Sequence, residues 1–364
     1  AEGSEEGQDE GGSEGSGEEG GVEYFSLSDI PPGTWYEVPN SKLEDVLPNV
    51  LPEGWTGPAA IMSAWSGGAY DTDNNKLIVW GGGHTDYSGN EIYTFDTETL
   101  SWDRPWGPTS IAQIPTETLA YEIYDDDSPA SRHTYDGLVY LPDPYFSLWS
   151  QGGSLWRNGN GTNATWKFNF QINEWERLEN APQSHLGISS AYDPVTNSVY
   201  MRSLNRILKY SVEANTWEEL FYEGWGWYGD NTTATAIPSR GQIIFVGGNK
   251  TDHVTEYGVF DIENSEYFTP EFTGATEILG ANAPGVAYHS ETDTVIAWDG
   301  GSQLYQLNLD TWNWTVISSE NGDVTPGDPA GTGTFGRFQY VPEHDVFIVV
   351  NDIRENVFVF KLPE

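Results

Sequence analysis

Five times along the chain, an aromatic residue or leucine closing an apolar run is followed seven residues later by a second aromatic. The pairs are Phe95 and Trp102, Phe168 and Trp175, Tyr210 and Trp217, Phe260 and Tyr267, and Leu307 and Trp314. Their second members lie 73, 42, 50 and 47 residues apart. A repeat of that length is a unit that cannot bury its apolar face alone, so neighbouring copies have to stack. Each copy also holds a short apolar run, often closed by glycines. These are Leu77–Trp80 before Gly81–Gly83, Phe146–Trp149 before Gly152 and Gly153, Ile243–Val246 before Gly247 and Gly248, and Val295–Trp298 before Gly300 and Gly301. Val199–Met201 and Val346–Val350 fill the same slot without the glycines. A further run precedes each, mostly a tyrosine followed by Asp or a similar turn: Ala69–Asp71, Thr134–Asp136, Ala191–Asp193, Ala234–Pro238, Ala287–His289 and Gln339–Pro342. Apolar runs of four to six residues between turn signals are strands, not helices.

Four strands per copy at this period predict an all-β, six-bladed β-propeller. The apolar run, glycine doublet and spaced aromatics resemble the kelch-type, galactose-oxidase-like propellers over roughly residues 33–364. That resemblance implies a fold and leaves function open, since propellers host many chemistries. The sixth copy is incomplete. Its third strand, Asn356–Leu362, runs out at Glu364, so the aromatic expected seven residues after Phe360 has no place in the chain. The segment Gly33–Pro39 contains Trp35 and has no blade of its own, so it is predicted to supply the missing outer strand and close the ring. The second copy is stretched by an insertion around Leu141–Asn163. Residues 33–364 are therefore read as one propeller domain. Residues 1–22 form an acidic Gly/Ser/Glu tail that cannot offset its chain entropy by burial. The tail reads either as a tether or as an intermolecular segment through which copies join into an oligomer or filament.

Composition narrows the function. The 364 residues carry 56 Asp and Glu against 15 Lys and Arg, a net charge of −41. Nine of those acids lie in residues 1–23, which leaves 47 against 15 in the remainder. Such a field repels nucleic acid and other polyanions and suits a saline or cation-rich setting. There is no cysteine, which excludes disulfides, thiolate metal sites and a cysteine nucleophile. No apolar run approaches the length of a membrane span. An Ala1 start on a Gly/Ser/Glu tract, without cysteine, reads as a processed extracellular protein, secreted or at the cell surface. Asn160, Asn163, Asn231, Asn249 and Asn313 stand in glycosylation sequons.

In a propeller, loops entering the innermost strands and loops leaving the second strands converge on one mouth of the central channel, the default ligand site. This places His84, Asp86 and Tyr87 together with Arg132, His133, His185, the Trp225–Asp230 segment, His253, Asp352 and Arg354. The stretch from Gly81 to Glu91 puts imidazole, carboxylate and phenol in one glycine-flanked loop, suited to proton transfer or to holding a cation. Several polysaccharide lyases are propellers with His and Tyr as acid and base and Arg against a uronate. Similarity to them implies His84 or His133 as base, Tyr87 or Tyr228 as acid and Arg132 as neutraliser. Alternatively, His84 and Asp86 satisfy loop backbone and Arg132 pairs with one of the many carboxylates. Trp225, Trp227 and Tyr228 suggest a platform for stacking sugar rings, with Asp86, His185 and His253 as polar contacts, although propellers also use Trp to fill space between blades. The Asp/Asn clusters Asp71–Asn75, Asp125–Asp127 and Asn158–Asn163 are either calcium ligands or ordinary turns. Galactose oxidase is excluded because its cofactor requires cysteine, and no sialidase box, nucleophile elbow or nucleotide loop occurs. The expectation is a non-catalytic extracellular propeller that binds carbohydrate or builds a surface assembly. The alternative is a polysaccharide-processing enzyme, a lyase using the His84, His133 and Arg132 face.

Overall fold

The computed structural model describes residues 25–117, 121–222, 231–248 and 257–364. Six antiparallel sheets, each contributing four strands to a blade, follow one another along the chain. From the inside outwards, the first consists of Gly68–Asp71, Lys76–Val79, Ile92–Asp96 and Ser101–Trp106. The second has Leu138–Leu141, Ser147–Gln151, Thr165–Asn169 and Glu174–Arg177, and the third Ser189–Asp193, Ser198–Ser203, Arg206–Ser211 and Thr216–Tyr222. The fourth has Thr232–Ile237, Gln242–Gly247, Gly258–Asp261 and Glu266–Phe268, and the fifth Gly285–His289, Thr294–Trp298, Leu304–Asn308 and Asn313–Ile317. The sixth consists of Phe338–Val341, Val346–Val349, Phe358–Phe360 and, as its outer strand, Trp35–Glu37 from the other end of the chain. Inner strands touch their neighbours all the way round, sixth against first included, so the molecule is a six-bladed β-propeller.

The spaced aromatics are the register of the outer hairpins. Phe95 lies directly opposite Trp102, Phe168 opposite Trp175, Tyr210 opposite Trp217, Phe260 opposite Tyr267 and Leu307 opposite Trp314. The sixth pair is made across the ends of the chain, Phe360 opposite Trp35, with ring centroids 5.0 Å apart. The turn between partners is encoded locally. Asp96 Oδ1 accepts the N–H groups of Glu98 and Thr99, and Asn308 Oδ1 those of Asp310 and Thr311, the side chain mimicking a backbone turn. The calcium candidate around Asp71 is built the same way, with Asp71 Oδ1 accepting from Asp73 N–H and Asn74 N–H.

Two details differ from the sequence reading. The innermost strand of the second blade is Leu138–Leu141, not Thr134–Asp136. Tyr140 therefore takes the inner-strand place of Tyr70, Tyr192, Tyr288 and Tyr340, and Tyr135 turns instead toward the channel at φ +50°. The packed unit also starts before residue 33, because Leu27 and Ile30 are buried with Val38 and Leu43 in the core shared with the first and sixth blades. The extra length of the second blade, expected around Leu141–Asn163, sits among the described residues in 107–117, 121–131 and 152–164, while Leu141 and Ser147–Gln151 are ordinary blade strand. Part of it folds back as a two-stranded ribbon, Arg132–His133 against Ser154–Leu155.

Asp136 joins the blades at the channel. Its Oδ2 accepts N–H groups from Ala234 at 2.7 Å and Ser190 at 3.4 Å, and Gly336 N–H also reaches the carboxyl. Its backbone carbonyl accepts Ser190 N–H and Oγ–H. A cavity of about 300 Å³ runs from this carboxyl past the inner strands to the turns at Pro142, Pro194 and Pro238. Toward the other face, Tyr135, Ala283 and Phe335 pack with Leu186 as an apolar plug. No helix among the described residues is long and apolar enough to cross a membrane.

Candidate functional site

Above the plug, the loop joining the second and third strands of the first blade meets the ribbon of the second blade. Gly83 makes the contact possible, since a Cβ there would lie 2.3 Å from the backbone of Arg132 and His133. The loop closes through Gly83 N–H to the Tyr87 carbonyl at 2.8 Å, and His84 is held at φ +42° with its N–H on the Ser154 carbonyl. The His84 ring rests on Gly159, where a Cβ would come within 2.7 Å of it. The preceding segment is strapped over the loop. Trp55 N–H donates to the Thr85 carbonyl, Thr56 and Gly57 N–H donate to the Asp86 carbonyl, and Thr56 Oγ1 donates to Asp86 Oδ1.

This architecture brings three side chains together. His133 Nε2 lies 2.9 Å from Asp86 Oδ2, and the rings of His84 and His133 meet edge to face at 5.8 Å. The ligand atoms of His84, Asp86 and His133 all lie within 4.8 Å of one another, and they are the one such trio among the described residues. Trp65 stacks on His133 at 5.2 Å between centroids. The His133 hydrogen bond holds the Asp86 carboxyl below the usual carboxylate range, while burial pushes the His133 imidazole down. At neutral pH the pair is thus a carboxylate accepting from a neutral imidazole.

Other predicted site residues go elsewhere. Tyr87 is fully buried and donates through its hydroxyl to Glu91 Oε1 at 2.6 Å, an oxygen shared with the Tyr93 hydroxyl. Arg132 is fully buried over the Trp80 ring. Its Nε donates to the Ala130 carbonyl and its Nη1 to the Gly152 carbonyl, and burial lowers its pKa to about 10. Neither Tyr87 nor Arg132 exposes its side chain to solvent at this mouth. Arg354 pairs with Asp352 at the surface. Trp225, Trp227, Tyr228, His253 and Asn249 lie outside the described residues. Among the sequons, Asn160 is exposed, whereas Asn163, Asn231 and Asn313 are half-buried.

His185 is wholly buried, and neither of its ring nitrogens has a hydrogen-bond partner. Burial lowers its pKa to about 4, with the charge of Arg206 acting in the same direction. Its folded value lies below the unfolded one near 6.5, so its contribution to stability is complete above that pH and is lost as pH falls toward 4. His185→Phe is expected to leave stability at pH 7 unchanged or slightly raised and to flatten the decline between pH 6.5 and 4. Chemical denaturation across that range checks this, and an unaltered acid limb would sink the assignment.

Two residues of this mouth escape the sequence pattern. Trp55 is 91% exposed and Trp65 38% exposed, both in the stretch ahead of the first blade that belongs to no repeat. Their signal was simply tryptophan in a segment with no core of its own to fill. No protein-family model matches the chain, and no curated protein matches it either.

Proposed function

We propose that this protein is a kelch-type propeller that binds carbohydrate at the mouth carrying His84, Asp86 and His133. The observation that carries the reading is the Trp55 indole, almost wholly in water yet tied by its own backbone to the Thr85–Asp86 loop. A flat aromatic face offers the C–H surface of a pyranose its preferred neighbour, and adjacent imidazole and carboxylate groups can bond its hydroxyls. Trp65, stacked on His133, supplies a second ring beside the same polar groups. The acidity argues for neutral rather than uronate sugars, and it supports an extracellular setting in which copies of the chain are a second class of partner.

The test is a glycan array followed by titration of the intrinsic fluorescence. Trp55→Ala is expected to cost about 2 kcal/mol, roughly thirtyfold in Kd, with the fold intact. Absence of any glycan ligand, or affinity indifferent to Trp55, overturns the reading. The Asp86–His133 pair with His84 beside it favours one second reading, a polysaccharide-processing enzyme with the imidazoles as acid and base. Release of unsaturated product from a uronate polymer, abolished by His84→Ala, would put that reading first.

A further inference from the structure

We infer that His84, Asp86 and His133 form a mononuclear site for a divalent transition metal, zinc by preference, with open coordination positions toward the mouth. The argument goes beyond sugar binding and does not depend on it.

The donor set comes first. Two imidazoles and one carboxylate are ligands of borderline character, which suit zinc and its neighbours; calcium and magnesium favour all-oxygen sets. With no cysteine in the chain, no thiolate site competes for the same ion. A net charge of −41 raises the local concentration of cations around the molecule.

Geometry comes second. Three donor atoms no more than 4.8 Å apart fit within a circle of radius about 2.8 Å, against zinc–ligand bonds of about 2.0–2.2 Å. Closing that gap takes side-chain rotations of less than about 1 Å at each donor. The donors come from two elements that the fold has already docked, the Gly83–Tyr87 loop and the Arg132–His133 strand. Thr56 Oγ1 occupies Asp86 Oδ1 and leaves Oδ2 directed at His133, the outer partner that orients a ligating carboxylate. An ion takes the place of the 2.9 Å hydrogen bond between Asp86 and His133, and the imidazole proton then resides on Nδ1. Three protein ligands leave at least one position for water or a sugar hydroxyl, as in open rather than structural zinc sites. Asp86 is partly exposed and His84 is open to solvent, so that position faces the mouth.

The test uses the full chain, stripped with chelator and titrated with zinc alone by calorimetry. One equivalent is expected to bind and to survive a hundredfold excess of calcium. His84→Ala, a change at the rim, is expected to weaken that equivalent more than tenfold. Thr56→Ala should weaken it about tenfold by freeing the Asp86 carboxylate. Cobalt substitution supplies a separate readout, since its visible spectrum reports imidazole ligation and should be lost in His84→Ala. Trp55→Ala should leave zinc affinity unchanged, so failure of the sugar reading and failure of this one are distinguishable. No stoichiometric zinc, zinc displaced by calcium, or affinity indifferent to His84 would each overturn the inference; the last two would assign the ion to the acidic surface.

Discussion

Deleting residues 1–40 is expected to leave a chain that barely folds, whereas deleting residues 1–24 should leave the melting temperature within about 2 °C of the intact protein. The longer deletion removes Trp35–Glu37, the outer strand of the sixth blade, and strands the backbone groups of Phe358–Phe360. Trp35 is 2% exposed, and its indole N–H donates to the Ser302 carbonyl in the neighbouring blade. Truncating a buried Trp to Ala costs about 3–5 kcal/mol. Leu27, Ile30 and Val38 leave with it, each worth about 1.5–3 kcal/mol of apolar burial. The sum, on the order of 10 kcal/mol, is comparable with the whole stability of a typical domain. The short deletion removes the acidic tail with Glu23 and Tyr24 and keeps Leu27, Ile30, Trp35 and Val38 in place. Differential scanning calorimetry of the two truncations decides the matter. Equal melting temperatures would mean that the sixth blade does not rely on its borrowed strand.

Asp136→Ala is the second large effect, an expected loss of about 2–6 kcal/mol for removing one small side chain. The carboxyl is buried and accepts backbone N–H groups from three other blades; the Ser190 N–H keeps its bond to the Asp136 backbone carbonyl, so the substitution strips the acceptor from the Ala234 and Gly336 N–H groups. Each buried donor left without an acceptor costs about 1–3 kcal/mol. Burial pushes the Asp136 pKa well above the usual carboxylate range, with the three donors pulling against it. Asp136→Asn keeps an acceptor oxygen and should recover roughly half of the loss. Urea unfolding of both variants measures it. A loss for Asp136→Ala below about 1 kcal/mol would show that the blades hold their spacing without this carboxyl.

The blades could be read from the amino-acid pattern because partners seven residues apart in a hairpin with a fixed turn are direct neighbours across two strands. The pairing of Phe360 with Trp35 followed from the same logic, since a missing partner and an unassigned tryptophan point to each other. Side-chain direction in the loops was harder to read. Topology places His84, Asp86 and Tyr87 at one mouth, but the turn at Gly83 and the left-handed backbone of His84 send the imidazole outward and the Tyr87 ring into the core. Arg132 and His133 are adjacent on a strand, so one faces the wall and the other the mouth. Nothing in local composition says which. Tyr135–Asp136 mimicked the inner-strand signature of the other blades and hid the residue that ties them together. Trp55 and Trp65 carry no periodic signal, and only the fold shows Trp55 tied through its backbone to the Thr85 carbonyl and Trp65 stacked on His133.

The strand exchanged between the chain's ends also governs when this protein can exist. Trp35 leaves the ribosome more than three hundred residues before its partner Phe360. Until that partner emerges, the first segment waits with an indole and several aliphatic side chains in water, and the growing stack keeps two open flanks. Closure is then one contact between residues more than three hundred positions apart, the kind of contact that slows folding most. The ring therefore cannot lock before the last blade has been made, and a ribosome that stalls within that blade releases an open arc with strand edges ready to pair with another copy.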